Sequence, residues 1–338
     1  MRTAIVSGAV AALVAIGLFL GAGDDLGPNS FIIIGLSQGC VYGLVALGLV
    51  LVYKGARVFN FAQGEFGTVA AFIVFLFIEQ WKVGIPYWLA ALIALVATVL
   101  IGLGMERIIV RPLLNAPRVT LLVATIAFAL LCIAVELLLF LPEPKTLPPM
   151  VNTLPGVGNG LELANFILEP QRLVIVAVLV ALAVVLGYFF SKTDLGLAVL
   201  ATSQDAFATR IVGIGVERMS RFIWGSAAFL GAVAGILFVP LNPLVPGIMT
   251  TQVLIAAFTG AVIGGMTSLP GAFVGGIIVG LLQSISNWAS GSQKFLIGSG
   301  DNARLIQDFL PGAPDVVMLV VLLLVLMIRP AGLLGKEA

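Results

Sequence analysis

The residues best suited to chemistry in this 338-residue chain stand together as Asn60, Phe61, Ala62, Gln63, Gly64 and Glu65. Two amide side chains and a carboxylate crowd the start of a short apolar run, where the helix can break. A charge at the centre of a membrane span costs roughly 2.5–3.5 kcal/mol on insertion scales, so a carboxylate there asks for a reason. Glu65 and Glu136 are the two that qualify. Polar groups and freed backbone atoms persist at membrane depth where they are buried in protein or line a water-filled cavity. One reading of Asn60, Gln63 and Glu65 is therefore a substrate passage or a hinge. The other is that they cap a helix and bond the neighbouring loop. Glu136 lies about one and a half turns from the outer end of its run, which predicts access to interfacial water and a structural or solvated role.

Other chemistries lack their parts. The chain has no histidine, which removes the commonest general base and metal ligand. No serine, cysteine or lysine stands in a nucleophile signature. Cys40 and Cys132 lie in separate apolar runs and imply neither a disulfide framework nor a thiolate metal site. A phosphate-binding Gly-x-x-x-x-Gly-Lys-Ser/Thr loop is missing, since Lys336 follows Gly335 but precedes Glu337. No enzymatic activity, cofactor, metal or nucleic-acid partner is expected.

A second polar stretch, SKTDLGLAVLATSQDAFATRIVGIGVERMSR, runs from Ser191 to Arg221. Thr202 or Ser203 can cap a short helix with Asp205 in its first turn, Arg210 in its last and Gly213 as a left-handed stop. A compact helix outside the bilayer is expected there. It is either a rigid part for a soluble motor to push or an ordinary capped loop.

Glycines four residues apart recur at Gly35, Gly39 and Gly43, at Gly231 and Gly235, and through Gly260, Gly264, Gly271, Gly275, Gly276 and Gly280. Such spacing bares one helix face so that backbones approach closely. In GGMTSLPGAFVGG, residues Gly264, Gly265, Pro270, Gly271 and Gly275 predict a tight turn between two packed helices.

These groups are held by an apolar framework. Sixty per cent of the residues are hydrophobic, 10% are charged and the mean hydropathy is +1.17, values of an all-α polytopic membrane protein. With about 20 apolar residues needed per crossing, about ten segments are expected, at 4–22, 31–52, 64–80, 86–104, 119–141, 172–190, 220–240, 253–268, 271–288 and 314–330. The shorter ones stop short or re-enter. With the amino terminus inside, Arg2, Lys54, Arg57, Arg107, Arg111, Arg118, Lys192, Arg210, Arg218, Arg221, Arg329 and Lys336 fall on the inner side. Five of the 17 basic residues fall outside. Positive charge favours the cytoplasmic side, which places both termini and loop 191–221 there. Residues 1–23 fit a retained helix or a signal peptide. The outer loop 142–171, rich in proline, predicts an irregular covering or a docking surface.

Three stretches taken together, VYGLVALGLVLVYKGARVFNFAQGEFG (41–67), LGLAVLATSQDAFATRIVGIGVERM (195–219) and GGMTSLPGAFVGGIIVGLL (264–282), followed by RPAGLLG (329–335), resemble the permease subunits of the leucine/isoleucine/valine-type ABC importers. The likeness runs from about residue 31 to 335. It implies a permease domain over 31–338, preceded by an extra membrane segment or signal-like helix and outer linker over 1–30. It also implies a multi-pass protein of a prokaryotic plasma membrane, paired with a second related permease, two ATPases and an extracytoplasmic binding protein. Ala201, Asp205, Ala208 and Gly213 match the family's coupling element, and Asn60, Phe61, Ala62, Gly64 and Glu65 match its N-F-A-H-G-E signature. Gln63 replaces the family's usual histidine, Leu197 and Leu200 replace frequent basic residues, and Thr267 replaces a frequent glycine. The reading is an ABC-importer permease for branched-chain amino acids or a related small polar solute, surrounded by lipid. The competing class is a carrier or channel that works alone.

Overall fold

The computed structural model describes residues 27–114, 116–151, 161–163, 166–204, 209, 211, 215–291, 296–297, 304–305, 312–329 and 331–335. The expected first span at 4–22 lies outside them. Lipid offers no partner to a backbone N–H or C=O, so apolar runs of this length fold as helices that satisfy their own backbone. Among the described residues the continuous α-helices are α1 (Gly27–Ala56), α2 (Gln63–Phe75), α3 (Tyr87–Met105), α4 (Arg118–Phe140), α5 (Pro170–Lys192), α6 (Asp194–Gln204), α7 (Val216–Phe238), α8 (Ile255–Gly264), α9 (Leu269–Gly291) and α10 (Ala313–Ile328). Wider π-helical turns extend α2 over Leu76–Gln80 and α3 over Glu106–Val110, and precede α8 over Met249–Leu254. Six of these helices, α1, α3, α4, α5, α7 and α9, are long and apolar enough to cross a membrane.

Proline sets several ends. Pro86 and Pro117 stand extended just before α3 and α4, as a residue with no N–H and a fixed φ can at a helix start. Leu141 ends α4 at φ +59 and precedes Pro142. Residues 142–151 beyond it are not helical. Lys145 pairs its backbone with Leu244 through two 2.8 Å hydrogen bonds, and a short antiparallel ladder joins Leu161–Leu163 to Phe166–Leu168.

The chain divides into two compact units. One contains Leu44–Met150 and Ala177–Phe258. Its centre is α2, packed on α7, α3, α4 and the turn at Met249–Leu254. In α7, 78% of the spanning window is buried, against 22% in α4. The exposed side of α4 carries Val119, Val123, Ile126, Leu130 and Leu138 at helical spacing, the apolar stripe that faces acyl chains. Its inner side carries Leu121, Thr125, Ala129, Glu136 and Phe140.

The other unit contains the chain up to Gly43, Val151–Val176 and the chain from Thr259 onward. Here α9 meets the first half of α1 and α8 through glycine. A Cβ on Gly39 would come within 2.8 Å of the Ile277 Cα, and one on Gly260 within 2.8 Å of the Gly276 Cα. Side chains would force these backbones apart. The segment after α10 turns back onto the end of α8, where Leu333 and Leu334 donate their N–H groups to the Ile263 and Gly264 carbonyls at 2.8 and 3.0 Å. These carbonyls have no partner within the helix, so the tail completes it.

Candidate functional site

The break at 60–65 is built from its own side chains. Asn60 is fully buried; its Oδ1 accepts the Ala62 N–H at 3.1 Å and its Nδ2 donates to the Gln63 Oε1 at 3.3 Å. This is an asparagine turn of the kind that competes with helix and so starts one. Gln63, also fully buried, donates its Nε2 to the Ala227 carbonyl of α7 at 2.8 Å. Phe61 donates its N–H to the Thr125 Oγ1 of α4 at 3.2 Å. Glycine makes the approach possible: a Cβ at Gly48 would strike the Gln63 amide, and one at Gly235 would strike the Gly67 backbone. Asn60 and Gln63 are thus engaged in fixing the helix start.

Glu65 differs from them. It is fully buried, and its carboxyl faces that of Glu136 with the hydroxyls of Thr68 and Thr250 beside it. Neither Glu65 oxygen completes a well-formed hydrogen bond, and Glu136 Oε1 and Thr250 Oγ1 are likewise buried without one. Glu136 Oε2 accepts the Gly247 N–H at 3.0 Å. Thr68 Oγ1 accepts the Met249 N–H at 3.3 Å. The site therefore joins α2, α4 and the turn before α8. Among the described residues no basic side chain acts on the two carboxyl groups, which need a positive partner, whether a proton, a cation or an ammonium group.

Glu136 is 3% exposed, so the expected access to interfacial water is not found. Its height along the span is near the end, but its face is the inner one, shared with Thr125 and covered by Gly247. That stripe is visible in the sequence every three or four residues and is the signal that finds Glu136. Sequence reasoning also misses Glu106. The small-residue stripe Ala90, Ala94, Thr98 and Gly102 continues into it, and it lies fully buried, 3.1 Å from Arg111. Arg111 also reaches the exposed Glu217 at 3.3 Å.

In the polar stretch after α5, the expected helix from Thr202 or Ser203 to Gly213 lies largely outside the described residues, and a helix that precedes it is described. The helix there is α6, and its cap is Thr193, whose Oγ1 accepts the Gly196 N–H at 3.1 Å. Thr202 lies inside α6 and donates its hydroxyl to the Ala198 carbonyl at 2.8 Å. It is not the N-cap of α6, which begins about two turns earlier. Ala201 is exposed on α6. Asp205, Ala208 and Gly213 lie outside the described residues.

At the glycine-rich turn, Gly265 has φ +106, a conformation glycine adopts without strain. Ser268 Oγ accepts the Gly271 N–H at 3.1 Å and starts α9, with Pro270 exposed in its first turn. The Gly264 and Gly271 backbones touch, and Gly275 lies against Gly260. These residues lie in a different unit from Asn60, Gln63 and Glu65.

A helical bundle with lipid-facing stripes, a helix broken by buried amides and an embedded carboxyl pair defines a polytopic membrane protein of the transport class. The family model described as "Branched-chain amino acid transport system / permease component" matches residues 31–328, and the chain belongs to that family. It is 28% identical over 312 residues to the high-affinity branched-chain amino acid transport system permease protein LivH of Escherichia coli (strain K12), covering 89% of this chain and 94% of that protein. It is 29% identical over 311 residues to the permease protein BraD of Pseudomonas aeruginosa, with the same coverage. A probable branched-chain amino acid transport permease protein LivH of Methanocaldococcus jannaschii is 26% identical over 298 residues, 87% of this chain and 88% of that one. No solved structure matches.

Proposed function

We propose that this chain is the membrane-embedded permease subunit of an ATP-binding-cassette importer for branched-chain amino acids or related small polar solutes. It works beside a second related permease, two cytoplasmic ATPases and an extracytoplasmic binding protein, in the plasma membrane of a prokaryote. The observation that carries this reading is the family match along residues 31–328. The permease domain is 31–338, with about ten membrane segments and both termini in the cytoplasm, an orientation supported by the basic residues.

In this reading ATP binding on the partners moves the region 195–213. Ala201, Asp205, Ala208 and Gly213 make the contact, and the exposed Leu197, about one turn before Ala201 on α6, supports a docking role. The attached spans then alternate the opening past Asn60, Gln63 and Glu65. Glu65 and Glu136 supply the negative charge that an ammonium group of a zwitterionic solute would seek, and the amides of Asn60 and Gln63 fix the helix start that presents it. Gly264, Gly265, Pro270, Gly271 and Gly275 keep a rigid, closely packed helix pair. The test is purification from mild detergent: two ATPase subunits and a second permease are expected to co-purify. A chain that purifies alone from cells producing all components would contradict it.

A further inference from the structure

We propose that the cleft between α3, α5 and α7 binds one anionic phospholipid, with its phosphate held by Arg218 and Arg221. The cleft, about 550 Å³, has apolar walls from Leu103 of α3, Leu186 of α5 and Phe222 and Phe229 of α7. Both arginines stand at one end of it, three residues apart on one face of α7, and both are exposed. Among the described residues neither enters an ion pair, whereas the neighbouring Glu217 is already matched to Arg111. The cleft therefore carries two uncommitted positive charges above an apolar slot.

Its length selects the occupant. From Arg218 to Leu230, the lining residue farthest along α7, the helix rises about 18 Å, at 1.5 Å per residue. One leaflet of the hydrocarbon core is about 15 Å thick. A headgroup phosphate at the arginines thus leaves an acyl chain lying along Phe222, Ser226 and Phe229 to near the midplane. A soluble anion would use the arginines and leave the slot empty. A soluble protein would not reach Phe229. Basic clefts between spanning helices are the known chemistry of anionic headgroup capture.

The experiment is native mass spectrometry of the detergent-purified chain, titrated with phosphatidylglycerol and, separately, with phosphatidylcholine of the same acyl chains. One phosphatidylglycerol is expected to be retained in preference to phosphatidylcholine. R218Q/R221Q, two changes at exposed positions, is expected to weaken that retention about thirtyfold. Ser226→Trp, which fills the slot midway and leaves both arginines in place, is expected to weaken it as well. Millimolar inorganic phosphate is expected not to displace the lipid. Equal retention of the two lipids, unchanged retention in R218Q/R221Q, or displacement by phosphate would each overturn the proposal. So would unchanged lipid retention in R218Q/R221Q accompanied by loss of a bound ATPase, which would assign the arginines to a protein partner.

Discussion

Gly235→Ala tests whether the contact between α2 and α7 organises the central unit. A Cβ at 235 would lie inside contact distance of three Gly67 atoms, the carbonyl oxygen, carbonyl carbon and Cα. All belong to helix backbone, so no rotamer relieves the clash. Helix α2 must move by about 1–2 Å to restore an ordinary contact near 3.5–4.0 Å. The same movement would loosen Gly231 from Phe66 and Gln63. Overpacking of this kind costs about 1–3 kcal/mol, and the better helix propensity of alanine returns at most about 1 kcal/mol. With the full propensity gain the net expectation is a loss of about 0–2 kcal/mol. Gly104→Ala is the control: nothing lies within 4 Å of its Cβ, so propensity acts alone and stability rises by up to about 1 kcal/mol. Both variants would be heated in detergent, following the temperature at which half the protein loses its monodisperse form. A Gly235→Ala protein as stable as Gly104→Ala would refute the reasoning.

Other changes have equally definite outcomes. Arg111→Leu leaves Glu106 buried without its counter-ion and should destabilise the fold by about 3–5 kcal/mol, while Glu217→Gln removes an exposed partner and should cost about 0–1 kcal/mol in the same melt. Glu65→Gln and Glu136→Gln should each reduce solute uptake at least about tenfold, the worth of one charged hydrogen bond, with membrane yield unchanged; normal uptake in both would remove the carboxyl pair from the path. Asp205→Arg should abolish ATP-dependent uptake while the protein still inserts, and normal uptake would defeat the coupling role of 195–213.

The framework is legible in the sequence because lipid leaves the backbone few choices. The expected spans 86–104 and 119–141 correspond to helices Tyr87–Met105 and Arg118–Phe140, each bounded by a proline that cannot continue a ladder. The polar break at 60–65 is equally visible, since amides and a carboxylate contradict their surroundings. What joins them is not visible: Gln63 bonds the Ala227 carbonyl 164 residues away, and Glu136 bonds the Gly247 N–H 111 residues away. Depth along a span gave the wrong environment for Glu136, whereas face along the helix gives the right one. The cap of α6 at Thr193 is not singled out by residue type, and the close approach of Gly196 to the Phe189 carbonyl, which leaves no room for a Cβ, appears only in the packing.

A bundle of lipid-embedded helices with no nucleotide site of its own should be a path without an engine. Uptake of radiolabelled branched-chain amino acid into proteoliposomes tests that directly, comparing this chain alone with the chain plus its partner permease, ATPases and binding protein. The account predicts accumulation against a gradient only in the complete set and only with ATP. Uphill accumulation by this chain alone would contradict it.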